Sequence, residues 1–92
     1  MHNLYTIIVE FEQGTYCSQY FEKCEFSALK MWLNDLYNGK IEINFEKNNE
    51  FESVLKSLDK PILLTNLKNI WFSYINIDND EFFINIVKTN NE

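Results

Sequence analysis

Residues 67–89, LKNIWFSYINIDNDEFFINIVKT, decide the fold class. Two runs rich in isoleucine, phenylalanine and tyrosine flank a polar Asp-Asn-Asp step. β-branched and aromatic residues on an alternating pattern read as strands, and the polar step between them reads as a turn. With Asn79 and Asp80 at the turn, Ile77 is expected to face Phe82, Ile75 to face Ile84 and Ser73 to face Ile86. One side of the hairpin is then almost wholly apolar. A shift by one residue sets Ile75 against Asn85 and mixes the two sides, which the free energy of burial opposes. Trp71, Ile75, Ile77, Phe82, Ile84 and Ile86 are therefore expected in the core.

The N-terminal part repeats this logic. From Leu4 to Phe11, Tyr5, Ile7, Val9 and Phe11 alternate with Thr6 and Glu10, the period of a half-buried strand. A second strand-forming run, TYCSQYFE, follows Glu12-Gln13-Gly14. A three-residue loop with Gly14 in the left-handed region predicts Val9 opposite Cys17 and Tyr5 opposite Phe21. From Ser27 the period changes: Leu29, Trp32, Leu33 and Leu36 follow helical spacing. Ser27 is the expected N-cap, Phe26 and Met31 the staple, and Gly39 the stop. Phe51, Val54, Leu55 and Leu58 repeat the template in a second helix, with Asn49 and Glu52 at its start and Pro61 beyond its end. Between the helices Ile41, Ile43 and Phe45 alternate with acids and Asn44, as in a short strand or extended linker. The expected class is α+β: a mostly antiparallel sheet with two helices on one face, in the order β-β-α-(β)-α-β-β.

Ninety-two residues make a single domain, taken as residues 1–92. No apolar run approaches the ~20 residues of a membrane span, and Met1–Thr6 lacks the regions of a signal peptide, so a cytoplasmic location is expected. Cys17 and Cys24 are the only cysteines and are expected reduced; His2 is the only histidine, so zinc is not expected. Fourteen acids against eight lysines, with no arginine, give a formal charge of −6. That balance disfavours nucleic acid as a partner and favours encounter with a basic protein, although it would equally keep a small domain in solution.

No motif carries chemistry. The serines and Cys17 have no internal histidine to activate them, Gly14 and Gly39 are too few for a phosphate loop, and Glu10 with Glu12 reads as solvated surface. Neither an enzyme nor a cofactor is expected. Two features point to binding. The second side of the last hairpin carries Ile70, Phe72, Tyr74, Phe83 and Val87 among Asn76, Asn85 and Thr89. This side is either partly covered by a loop or the second helix, or left open as an aromatic interface. The acids Glu42, Glu46, Glu50 and Glu52 are either a charged linker favouring a helix start or a landing site for a basic partner.

The segments Gly14–Gln19, Ala28–Leu36, Leu67–Trp71 and Asn85–Thr89 resemble the small bacterial immunity proteins that accompany polymorphic toxins, including those of contact-dependent growth inhibition. These pieces cover both hairpins and the first helix; residues 40–64 carry no part of the likeness. The resemblance implies tight binding to the C-terminal domain of a cognate toxin, often a nuclease and then basic, by a monomer that performs no chemistry. On that reading Glu42, Glu46, Glu50 and Glu52, with Tyr74 or Asp80, are expected to contact the partner. The alternatives are an acidic mimic of nucleic acid acting on a different nuclease, or a small enzyme or ligand-binding module with a defined pocket.

Overall fold

The computed structural model describes residues 2–43, 51–77 and 79–89, apart from the side chain of residue 51. Its elements are β1 (Asn3–Phe11), β2 (Gly14–Glu22), α1 (Glu25–Tyr37), α2 (Phe51–Ser57), β3 (Ile62–Leu63), β4 (Ile70–Ile77) and β5 (Asp80–Lys88). The five strands form one antiparallel sheet in the order β2-β1-β5-β4-β3. The expected α+β class and both hairpins are present. The third strand lies after α2 rather than before it: Ile41–Ile43 form no strand, and residues 44–50 lie outside the described residues.

The sheet is assembled from its two terminal hairpins. β1 pairs with β5, setting Ile7 against Ile86 and Val9 against Ile84, so both hairpins direct the same apolar side to the helices. Tyr5, Ile7, Val9, Phe11, Ile75, Ile77, Phe82, Ile84 and Ile86 are buried there under Ala28, Leu29, Trp32, Leu33 and Leu36 of α1. Phe82 lies at the centre, stacked on Phe11 at 4.4 Å and edge-to-face with Trp32 at 5.7 Å. Val54, Leu55 and Leu58 extend this layer from α2 and the residue after it. Trp71, expected in the core, is only half-buried: it stands on β4 near the sheet margin and meets Tyr5 edge-to-face at 6.0 Å. The fully buried tryptophan is Trp32.

Two registers differ from the expected ones. Glu12 and Gln13 form a two-residue turn, both at positive φ (47° and 68°), with the strand pairing closing at Phe11 and Gly14. Positive φ at both central positions matches the right-handed twist of the flanking strands. Val9 therefore lies opposite Tyr16 and Tyr5 opposite Tyr20, turning Tyr16 and Tyr20 toward the helices and Cys17 and Phe21 away. Gly14 is not left-handed; its missing Cβ leaves room for the Tyr16 ring, which would lie within 2.9 Å of that atom. In the last hairpin Ile77 pairs with Asp80, Ile75 with Phe82 and Ser73 with Ile84, two residues from the expected register. Asn79 takes the left-handed position (φ 71°) and donates its N–H to Asn76 Oδ1 at 3.0 Å, and the strands close at Ile77 and Asp80, one residue earlier in the chain than the expected turn. A two-residue shift preserves the side each residue faces, so the expected apolar side stands.

Helix α1 begins earlier than expected. Its N-cap is Cys24, in extended conformation, while Ser27 lies in the first turn with its hydroxyl 3.5 Å from Cys24 Sγ. Those contacts hold the Cys24 thiol below its ordinary pKa, the Ser27 hydroxyl contributing most. At the other end Gly39 (φ 72°) donates to Leu36 O and Lys40 to Asp35 O. This Schellman pair satisfies two of the last carbonyls, and the left-handed residue between them is where glycine is least strained.

Candidate functional site

Both helices pack on one side of the sheet, and the strand alternation then dictates what the other side carries. Facing away from the helices are Thr6, Ile8 and Glu10 of β1, Cys17, Gln19 and Phe21 of β2, Phe72, Tyr74 and Asn76 of β4, and Glu81, Phe83 and Asn85 of β5. Neither helix lies over this side; only the C-terminal end of α2 reaches the β4 margin, where Val54, Ser57 and Leu58 adjoin Tyr74 and Asn76. Large apolar side chains are correspondingly exposed: Tyr74 by 45%, Phe83 by 44%, Ile62 by 68% and Phe21 by 61%. Of the five apolar residues on this side of the last hairpin, Tyr74 and Phe83 are exposed, whereas Ile70, Phe72 and Val87 are partly buried.

The face is graded along the strands. At the centre of β4 and β5, Tyr74 and Phe83 pack at 5.3 Å between ring centres. The Tyr74 hydroxyl donates to Glu81 Oε2 at 2.7 Å and accepts from Asn76 Nδ2 at 3.2 Å. The ring is thereby held in place although it faces solvent. The bond to Glu81 raises the Tyr74 pKa above its ordinary value. Away from the turns, Gln19 Nε2 donates to Thr6 Oγ1, Thr6 to Thr89 Oγ1, and Thr89 to Leu4 O, at 3.0–3.2 Å. These polar groups satisfy one another.

At the turn end the two hairpins enclose an open notch of about 320 Å³ lined by Glu10, Glu12, Asp80 and Glu81 with Phe83. Four carboxylates and no lysine border it. None of the strand residues on the open side is a lysine either. Among the described residues, no group of three or more His, Cys, Asp or Glu side chains is arranged to hold a metal.

The structure divides the residues expected to contact a partner. Tyr74 is on the open face, and Asp80 borders the notch beside Glu81. Glu42 is exposed in the chain after α1, where it flanks Thr15–Ser18 on the far edge of the sheet from β4. Glu52 is exposed on α2, in the helix layer. Glu46 and Glu50 lie outside the described residues. Glu10 and Glu12 join Asp80, Glu81 and Phe83 only because β1 pairs with β5, a long-range contact with no local signature. The smaller hollow at the β3–β4 margin, about 220 Å³, is lined by Ile62, Phe72, Ser73 and Tyr74 together with Asp59 and Lys60, so the apolar surface there is bordered by one acid and one base.

Comparison with family models, with curated proteins and with solved structures returned no match. Among the described residues, no helix is long and apolar enough to cross a membrane.

Proposed function

We propose that the chain is an immunity protein that binds the C-terminal domain of a cognate toxin, a nuclease in the simplest case, and neutralises it by occupying its surface in the cytoplasm. One observation carries this reading: among the described residues no helix lies over the second side of the sheet, where Tyr74 and Phe83 present a fixed, exposed aromatic pair. Exposed aromatic clusters are the residues around which protein interfaces concentrate their binding energy. The resemblance of both hairpins and α1 to immunity proteins points the same way, and the charge of −6 suits a basic partner. The chain supplies no chemistry: it acts as a monomer, by tight association.

The test pairs the chain with the toxin domain encoded immediately upstream of its gene. A tight one-to-one complex in which the toxin's activity is lost supports the proposal. A gene with no toxin neighbour, or a toxin domain left active by excess of the chain, contradicts it. The four carboxylates of the notch favour one second reading, an acidic mimic that occupies a nuclease's phosphate sites. That version requires DNA or RNA to compete for the complex, with affinity falling steeply with salt.

A further inference from the structure

We infer that the uncovered sheet face docks the basic surface of the partner in one orientation, with partner cations over the turn end and its apolar centre on Tyr74 and Phe83. The inference rests on the toxin-binding reading and adds to it which surface is used and how the partner lies. Charge complementarity carries it. The open side of the strands bears no lysine, and its only charges, Glu10 and Glu81, lie toward the end where Glu12 and Asp80 also stand. Carboxylates accept hydrogen bonds and donate none, so the four acids make this end rich in acceptors, with the amides of Gln13 and Asn79 beside them. The opposite end differs: Gln19, Thr6 and Thr89 use their hydroxyl and amide groups on one another. At the β3–β4 margin one acid and one base, Asp59 and Lys60, stand beside Tyr74, so the notch is the part of the border where acids gather without a lysine and where a partner's lysines or arginines gain charge-assisted bonds.

Between the two ends the face is apolar and prearranged. Tyr74 is held by Glu81 and Asn76 and braced by Phe83, so little side-chain freedom is lost when a partner covers it. Such a surface assigns different tasks to its two parts. The acids steer encounter and set orientation, whereas the desolvated aromatic pair slows dissociation. The opposite side of the sheet is covered by the helices, and Glu42 and Glu52 stand away from the aromatic pair.

The test uses the full chain and a catalytically inactive form of the upstream-encoded toxin domain, with binding followed kinetically at two salt concentrations. Three double variants are compared after circular dichroism and thermal melting show each to be folded. Glu10→Lys with Asp80→Lys is expected to slow association by about 10-fold or more and to flatten its salt dependence. Tyr74→Ser with Phe83→Ser is expected to raise the dissociation rate by roughly 30-fold or more. Glu42→Lys with Glu52→Lys is expected to change the dissociation rate by less than about 3-fold. Binding lost in the Glu42/Glu52 pair and retained in the other two would overturn the docking surface and leave the toxin-binding reading standing. No binding by the unaltered chain would refute both. Should the Tyr74/Phe83 variant melt too early to assay, Phe83→Lys alone takes its place. Unchanged dissociation in that variant would overturn the role given to the aromatic pair.

Discussion

The Tyr74 hydroxyl donates a 2.7 Å hydrogen bond to Glu81 Oε2 across the β4–β5 pair, joining the aromatic centre of the open face to its acidic end. The same bond keeps the phenol protonated to higher pH than an ordinary tyrosine. Glu81→Gln removes the charge that holds the proton, so Tyr74 should titrate at lower pH, nearer the ordinary 10.0, in the variant. Ring resonances followed by NMR from pH 8 to 12 measure this. An unchanged Tyr74 midpoint would show that the pair does not form in solution.

Tyr20 makes the equivalent contact on the helix side, donating to Asp35 Oδ2 at 2.8 Å and tying β2 to α1. Burial first, and then the Asp35 carboxylate, hold the Tyr20 pKa far above 10.0. The sign follows from that direction. The folded state keeps this proton after the unfolded chain has lost it, so the stabilisation is full below pH ~10 and declines as pH rises above it. Tyr20→Phe should lower stability by about 1 kcal/mol near pH 7. It should also make the fall in melting temperature above pH 10 shallower than in the unaltered chain. Parallel alkaline limbs would remove Tyr20 from that account.

The two tryptophans should separate cleanly. Trp32 has no exposed surface and packs edge-to-face on Phe82, so Trp32→Ala should cost about 3–5 kcal/mol or prevent folding. Trp71 is half-buried beside Tyr5, and Trp71→Ala should cost about 1–2 kcal/mol. Urea denaturation of both variants measures the difference; equal losses would contradict the placement of Trp71 at the margin.

The β1–β2 turn holds Glu12 and Gln13 at positive φ, where residues other than glycine and asparagine are strained. Replacing them together, Glu12→Asn with Gln13→Gly, should raise stability by about 1–2 kcal/mol, visible as a higher melting temperature. A lower melting temperature would mean that the turn has another geometry.

How far the sequence could be read depends on how unlike the two sides of each strand are. In β4 and β5 the alternation of isoleucine with polar residues is strong enough that the sides were correct although the register was displaced by two. In β2 both sides carry similar residues: Tyr16 and Tyr20 alternate with Cys17 and Phe21, so burial alone did not choose between them. Turn geometry chose, and it placed Phe21 in solvent. Ile62–Leu63 is too short for any period to show, and its pairing with Trp71 and Phe72 depends on where the chain returns after α2. The acidic notch was hidden for a related reason. Glu10 and Glu12 are some seventy positions from Asp80 and Glu81, and only the β1–β5 pairing brings them together. By contrast α1 was plain from local spacing alone, because Leu29, Trp32, Leu33 and Leu36 form one continuous buried stripe.

The central claim is that the open sheet face is the binding surface, and a backbone-amide NMR titration of the full chain with the inactive toxin domain tests it most directly. The account predicts that shift changes concentrate at Tyr74, Asn76, Phe83 and Asn85 and at Asn79–Glu81, while Glu52 and the exposed face of α1 stay unmoved. Perturbations centred on α1, α2 and Glu42, with the β4–β5 hairpin unaffected, would contradict it.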